Sequence, residues 1–408
     1  MKVSRRVVMS GLSTLALSAC VGGSAAAPVA AQNWPSVPNA GFDDWLVGML
    51  ARATARGISS GGQAALGRAG FLPLVIELSQ NQTEFTRTTE DYLAIATAPD
   101  RVAKGRAEFA RLSRLWAQIE TAYGVSPQIV TAIWGLESRY GERMGDAPLI
   151  SALATLSYAG IRADFFEGQL IAALKILDRG DVSASQMTGS WAGAMGHTQF
   201  IPTTFIAHAV DFTGDGRRDI WGADPTDALA SAAAYLRDSG WVRGGLWGVE
   251  VRLPASLDLG LAGCGKGRAV SFWRDSGITT ATGAAIPDHG AASLYLTGGT
   301  AAPGFLLFRN FNVILQYNNA VTYALGIGVL SDRIAGGDPL KGQFPPDSAG
   351  MSLADRQALQ VKLAALGYDV GTPDGVIGDK TRAAVSDYQR RNGLPETGAP
   401  SMALLARL

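Results

Sequence analysis

The chain has 408 residues, room for two or three domains, and its 47% hydrophobic and 17% charged residues are the balance of a globular protein, not of a disordered or fibrous one. Lys and Arg number 35, as do Asp and Glu, and a formal net charge of zero argues against a nucleic-acid partner, which would call for a basic surface. The 50 glycines follow no triplet period, which removes a collagen-like chain, and two cysteines leave little scope for structural disulfides.

Residues 1–20 begin with Lys2, Arg5 and Arg6, continue as a short apolar run and end in small residues before Cys20. That is the pattern of an export signal, too short for a stable membrane span. Leu17-Ser18-Ala19-Cys20 resembles the lipobox of bacterial lipoproteins, which implies an acylated Cys20, an outer-membrane anchor and a periplasmic location. Ser4-Arg5-Arg6 also resembles a twin-arginine signal. Cleavage further on, near Ala31, is the alternative and would give a soluble periplasmic product. Residues 21–38, rich in Ala, Gly, Ser and Pro, read as a flexible tether.

A domain over 39–335 follows, and its elements are mostly helical. Trp45, Leu46 and Met49 share one helical face before Gly57, and Phe109, Leu112, Leu115, Trp116 and Ile119 keep helical spacing across a single expected helix, Val102–Tyr123. Ser126 and Pro127 then start the helix of greatest interest, with Gly141 as its expected stop. Val130, Ile133, Trp134 and Glu137 fall at i, i+3, i+4 and i+7, which puts a carboxyl on the stripe that faces the core. Desolvation and the negative end of the helix dipole both disfavour its ionised form, so a raised pKa is expected, as a general acid near neutral pH requires. The plainer alternative is that Glu137 ends the helix in water or pairs with Arg139 or Arg143. Glu142, five residues on, points roughly 140° away around the axis.

Segments 148–158 and 165–179 continue the helical pattern. In Gly189–Phe205, Gly193 and Gly196 allow close backbone approach, while Ser190 and Gln199 offer uncharged donors and acceptors of the kind a saccharide needs. His197 is a candidate acid or base, although a lone histidine is more often a surface residue. Asp211, Thr213, Asp215, Gly216 and the Arg217 carbonyl match the front of a calcium loop, but Gly222 stands where the bidentate Glu belongs, so closure falls to Asp219, Asp224 or Asp227. An Asx-rich turn, with Asp227 capping the Ala-rich helix that carries Tyr235, is the alternative. Strands are expected to be minor and to lie in 246–300. Residues 311–330 read as a short extended piece and a buried helix, with Tyr317 and Asn318 at the join. A linker over 336–350 leads to a three-helix unit at 351–408: Leu359, Leu363 and Leu366 on a first helix closed by Gly367, Lys380–Asn392 capped by Asp379, and Ser401–Leu408.

These blocks resemble the lytic murein transglycosylases of the membrane-bound B type. The likeness is carried by 133–141, 152–157, 193–202, 210–216 and 316–319, in the family's order. It implies a mainly α fold, an α+β lysozyme-like catalytic domain, and cleavage of the MurNAc-(β1,4)-GlcNAc bond of peptidoglycan with formation of a 1,6-anhydromuramoyl end. The family's acid falls on Glu137 and its saccharide contacts on Ser190, Gln199, Tyr235, Tyr317 and Asn318, with Tyr92 carried over as well. No cofactor is required. A structural Ca2+ would be held by Asp211, Thr213, Asp215, the Arg217 carbonyl and Asp227, in a loop two residues longer than the family's. The tail, with Asp374-Gly375, Gly378, Thr381, Gln389 and Gly393-Leu394-Pro395, resembles the peptidoglycan-binding domain type 1. Glycan strands are thus the expected partner, with other cell-wall enzymes as further candidates. A hydrolytic muramidase using the same Glu137, and a non-catalytic wall-binding scaffold, are the rival readings.

Overall fold

Apolar residues recur at helical spacing along most of the sequence. The structure, a computed structural model that describes residues 33–80 and 87–408, is accordingly mainly α. The expected export signal, Cys20 and the start of the tether lie outside the described residues. The chain divides into two compact units, one holding described residues 33–80 and 104–243 and the other 87–103 and 244–408.

The first unit opens with α1 (Ala40–Ala55), α2 (Ser60–Leu66) and α3 (Pro73–Gln80); the chain then enters the second unit with α4 (Thr89–Ala96) and leaves it within α5 (Pro99–Arg111). The single helix expected over Val102–Tyr123 is two: Leu112, at φ −96° and ψ 19°, separates α5 from α6 (Ser113–Tyr123). After α7 (Pro127–Ser138) come β1 (Ala147–Pro148), α8 (Leu149–Tyr158), α9 (Ala163–Arg179), β2 (Thr188–Gly189), α10 (Pro202–His208) and α11 (Thr226–Asp238). β1 and β2 pair antiparallel, which ties the exit of α7 to the glycine-rich segment that follows β2. At the centre α8 packs along α9 and buries Leu149, Ile150, Ala152, Leu153, Ala154 and Leu156. A helix so apolar on all sides is stable only in the interior, and truncating Leu153 to Ala would cost about 2–5 kcal/mol.

The second unit holds the sheet that the sequence only hinted at: β3 (Gly248–Arg252), α12 (Val270–Asp275), β4 (Thr279–Thr280), β5 (Ser293–Leu296) and β6 (Gly304–Leu307), in strand order β4-β3-β6-β5 and antiparallel throughout. Val251, Leu294, Leu306, Trp273 and Phe308 form its core, and the buried Trp273 indole donates to the Ala292 carbonyl at 2.9 Å. The extended piece expected near 311 is instead α13 (Arg309–Tyr317), followed by α14 (Val321–Ile334), so Tyr317 and Asn318 stand at a helix end. α14 packs on α4, and a side chain at Gly326 would run into the Tyr92 ring at 2.7 Å.

The last helices, α15 (Leu353–Ala365), α16 (Asp379–Arg391) and α17 (Met402–Arg407), close on Met351, Leu359, Leu363, Val385 and Leu404. Ser352 and Asp355 form a capping box, and Ser401 caps α17. At α16 the cap position is Gly378 and Asp379 is already helical. The motif residues of this tail are polar staples: Gln360 accepts from Gly375 N and donates to Thr381 Oγ1, and Gln389 accepts from Thr397 N and Gly398 N. Arg356, 4% exposed, uses its whole fork, donating to the Gly375 and Met351 carbonyls, to Asp347, and to Glu90 and Asp91 on α4.

Candidate active site

Pro127 opens α7 at a position where its missing N–H costs nothing. Ser126 has the extended backbone of a cap residue, but its side chain makes no capping bond. From there Ile129, Val130, Ile133 and Trp134 are buried, and Glu137 on the same stripe is 9% exposed. The helix stops at Ser138, three residues before the expected Gly141, because Arg139 and Tyr140 both take positive φ (54° and 60°). Non-glycine residues in this region cost of order 1–3 kcal/mol each and persist only where the surroundings over-determine them.

The surroundings here are specific. Tyr140 N donates to the Trp134 carbonyl at 3.2 Å, and its ring stands edge-on to the Trp134 indole, centroids 5.6 Å apart. Ser138 Oγ donates to the His197 carbonyl at 2.6 Å and accepts from Gly141 N at 3.0 Å. Trp134 Nε1 donates to His197 Nδ1 at 3.1 Å, and His197 Nε2 lies 2.8 Å from the Gly222 carbonyl. An indole is only a donor, so Nδ1 is the acceptor and the imidazole proton sits on Nε2. Burial pushes the His197 pKa below its ordinary value, against the bond to Gly222 and the charges of Asp219 and Asp224. His197 is therefore not the surface residue that its isolation in the sequence suggested: it is 5% exposed and wedged against the helix end.

The glycine-rich segment after β2 packs on the same exit. Gln199, at φ 53°, donates Nε2 to the carbonyls of Met144 and Gly196 at 3.0 and 2.8 Å, leaving its amide oxygen for other use. Ser190 Oγ accepts from Ala194 N at 3.0 Å and keeps its own proton to offer. Tyr235 rests its ring on Phe200, beside Gln199, and on His208 at 4.9 Å; burial raises its pKa, opposed by a bond to Ser239. Glu142 lies beyond the end of α7, where the angle around the helix axis no longer applies, and it pairs with Lys104 and, at 3.4 Å, with Arg139. The first unit thus gathers Ser190, Gln199 and Tyr235 on segments packed against the end of α7, where Glu137 sits.

The remaining three expected contacts lie in the second unit. Tyr92 is buried on α4 against α14, Tyr317 is the half-buried last residue of α13, and Asn318 is its C-cap, 7% exposed. The Asn318 side-chain oxygen, buried, meets no hydrogen-bond donor among the described residues. A buried acceptor left in this way is an expensive feature that a ligand donor would relieve.

In the calcium-like loop Asp211 accepts from Thr213 Oγ1 and from the amides of Gly214, Asp215 and Gly216. Burial alone would raise its pKa, but these bonds together hold it below the ordinary value. Asp227, in the first turn of α11, accepts from Phe212 N and Thr213 N on one oxygen and from Asp219 N on the other; burial leaves its pKa raised despite them. Asp215 accepts from Arg217 N, and the loop is latched to the end of α9 by Arg218, which meets Asp181 at 2.6 Å. The donors are all oxygens, which suits a hard cation, although no three acidic or imidazole side chains converge on one point among the described residues. Asp181 had no motif to announce it.

Residues 41–332 match the family described as Transglycosylase SLT domain, and 352–408 match Putative peptidoglycan binding domain. The membrane-bound lytic murein transglycosylase B of Escherichia coli (strain K12) is 32% identical over 289 residues, which cover 67% of this chain and 77% of that protein. Among solved structures, SltB3 from Pseudomonas aeruginosa in complex with NAG-NAM-pentapeptide is 46% identical with a TM-score of 0.73, covering 90% of this chain and 99% of that one. The Escherichia coli lytic transglycosylase SLT35 in complex with calcium is 30% identical with a TM-score of 0.61, covering 71% and 92%. With a buried glutamate at the end of α7, a polar glycine-rich segment packed on the exit of that helix and these likenesses over most of its length, the chain belongs to the SLT transglycosylase family and is a lytic transglycosylase.

Proposed function

We propose that Glu137 is both the acid and the base of this enzyme and that its substrate is the MurNAc-(β1,4)-GlcNAc bond of peptidoglycan. The neutral carboxyl gives its proton to the glycosidic oxygen as the bond between that oxygen and C1 of the muramoyl residue breaks. The resulting carboxylate takes the proton of the C6 hydroxyl while that oxygen closes on C1. Glu137 returns to its starting form, no water is consumed, and the product is a 1,6-anhydromuramoyl end.

The observation that carries this reading is the burial of Glu137, 9% exposed, with Glu142, the next acid along the chain, committed to Lys104 and Arg139. Glycosidases that work with two carboxylates need the second within about 10 Å, and one group that alternates between acid and base does not. Burial strips hydration from the charged form, which favours a proton donor at rest. Ser190 and Gln199 would orient the N-acetyl and hydroxyl groups, Asn318 would receive a donor on its open oxygen, and Tyr92, Tyr235 and Tyr317 would offer flat faces and hydroxyls. Mass spectrometry of muropeptides released from purified sacculi tests the proposal: ends lighter by one water than a reducing terminus are expected. Reducing ends in their place would mean a hydrolytic muramidase.

The same reading extends to calcium, held by Asp211, Thr213, Asp215 and the Arg217 carbonyl and closed by Asp227, where it would brace the loop. It also extends to the cell envelope: a lipid on Cys20 would anchor the enzyme at the outer membrane, facing the periplasm, while residues 351–408 hold the wall. Fatty-acid labelling of the chain against Cys20→Ala tests the anchor.

A further inference from the structure

Two groups on α7 within one turn of Glu137 end on the same residue of a distant segment: Trp134, three positions before it, on His197 Nδ1, and Ser138, one position after it, on the His197 carbonyl. We propose that His197 is the positioning residue of the acid: as a neutral imidazole with its proton on Nε2, it pins the last turn of α7 on both sides of Glu137 and so sets where the carboxyl meets the glycosidic oxygen. This rests on the assignment of Glu137 as the acid.

The backbone just beyond Glu137 explains why such a clamp is needed. Arg139 and Tyr140 hold positive φ, and a helix left to itself would relax them. His197 opposes that from three sides. Its carbonyl holds Ser138, its Nδ1 holds Trp134, and its ring lies so close to Gly141 that an added side chain there would meet ring atoms at 2.6 Å. The ring is in turn fixed by the Gly222 carbonyl, and the His197 amide donates to the Ile220 carbonyl at 3.0 Å. The clamp thus transmits the position of the 219–224 loop to the acid.

A pH signature follows. Protonation would put a hydrogen on Nδ1, opposite the Trp134 N–H, and two donors cannot bond each other. Among the charged groups nearby, Asp219 and Asp224 of the loop favour the protonated ring, while burial opposes it. On α7 and its exit the ionisable groups are Glu137, Arg139, Tyr140, Glu142 and Arg143. At acid pH the clamp therefore opens and the rate falls even where Glu137 is protonated.

The test uses the full chain carrying His197→Ala or His197→Asn, the latter keeping an acceptor near the Nδ1 position. A misplacement of about 1 Å is worth up to about 100-fold in rate. His197→Ala should therefore lose on the order of 10- to 100-fold in kcat on purified glycan strands, with KM within about twofold. His197→Asn should recover part of the rate and lack the acid fall of the wild type. In the wild type, ring nitrogen NMR should find Nε2 protonated and Nδ1 bare at neutral pH. Wild-type kcat in His197→Ala, an unchanged pH profile in His197→Asn, or a proton on Nδ1 would each overturn the proposal. If His197→Ala does not fold, His197→Asn and the NMR carry the decision. An inert Glu137→Gln beside a fully active His197→Ala would remove this inference alone, whereas an active Glu137→Gln would remove the assignment beneath it.

Discussion

The end of α7 and the surroundings of Arg356 are both buried and polar, yet they are built in opposite ways. Around α7 the bonds that fasten Trp134 and Ser138 to His197 and its neighbours are made by uncharged groups: an indole N–H, an imidazole, a hydroxyl and backbone amides. Around Arg356 a guanidinium meets three carboxylates, those of Glu90, Asp91 and Asp347. The pKa directions of two other acids show what the difference does. Burial pushes Asp347 up, but the Met351 and Ala349 amides and the Arg356 charge together bring it below its ordinary value. Asp332, on α14, is open to solvent along one side, but its carboxyl is part-buried and among the described residues receives the Trp247 indole; desolvation raises its pKa to about 6. A carboxyl that gathers several donors and a cation is held ionised and serves as a rivet, whereas one desolvated with a single donor is pushed towards its protonated form. The second kind is what an acid that must also act as a base requires.

The comparison breaks first at Glu137. Glu137→Gln keeps size and burial but removes the transferable proton, and since general acid and general base work each contribute about 10²- to 10⁴-fold, release of muropeptides should fall by at least about 1000-fold. Thermal unfolding and binding to sacculi should stay near wild type. Undiminished turnover would place the chemistry elsewhere.

The next test is Arg356→Ala. Removing the cation leaves Glu90, Asp91 and Asp347 facing one another in a half-dry site, and breaking a buried pair by deleting one partner costs about 3–5 kcal/mol. Arg356→Lys should recover only part of this, because an ammonium cannot fill five donor directions. Chemical denaturation of the full chain measures both. A loss under about 1 kcal/mol in Arg356→Ala would mean that the network is merely decorative.

Much of the α7 region was legible in advance because its signals are local: a proline at the first turn, apolar spacing of three and four, and a carboxyl on that stripe. What escaped is non-local. Nothing about Arg139 or Tyr140 as residue types announces positive φ, and His197 carried no periodicity of its own, its burial being set by a helix 63 positions earlier. Arg356 sits in a mixed-polarity helix that reads as solvated, and its partner Glu90 is 266 positions away. The sheet was faint for another reason. β6 is buried at all four positions and β3 at its first and fourth, so neither shows the in-and-out alternation by which a strand is recognised. The extended piece expected near 311 failed because a nine-residue amphipathic helix bounded by loops carries few turns of pattern.

Asp332 sharpens the contrast from the neutral side. Its pKa is higher in the folded chain than in the unfolded one, so its contribution to stability is fully present below about pH 4 and is lost as pH rises through about 6. A rise from 3.8 to about 6, at 1.36 kcal/mol per pH unit, sets a ceiling of about 3 kcal/mol on that loss, and solvent screening at a residue this exposed brings it to about 1 kcal/mol. Asp332→Asn keeps an acceptor for Trp247 and has no proton to lose. The stability of the variant relative to wild type should therefore improve by about 1 kcal/mol between pH 4 and pH 7, read from unfolding curves at both. A constant difference would show that the indole bond alone already offsets the burial.

The loop at Asp211 represents a third arrangement, in which carboxylates are received by backbone amides, and calcium should move it least. Asp211 and Asp227 already hold the turn through seven bonds to backbone and hydroxyl groups, so the loop does not need an ion to take its shape. An ion present at ten times its dissociation constant stabilises the folded state by about 1.4 kcal/mol. For the wild type this should appear as a rise of a few degrees in the unfolding temperature when millimolar calcium replaces a chelator, and Asp227→Asn should remove it. Turnover in calcium and in chelator should agree within about twofold, because an ion there would only brace a loop that its own amides have already shaped. An unfolding temperature indifferent to calcium would reduce the loop to an amide-bound turn, and a collapse of activity in chelator would mean that these amides cannot hold it alone.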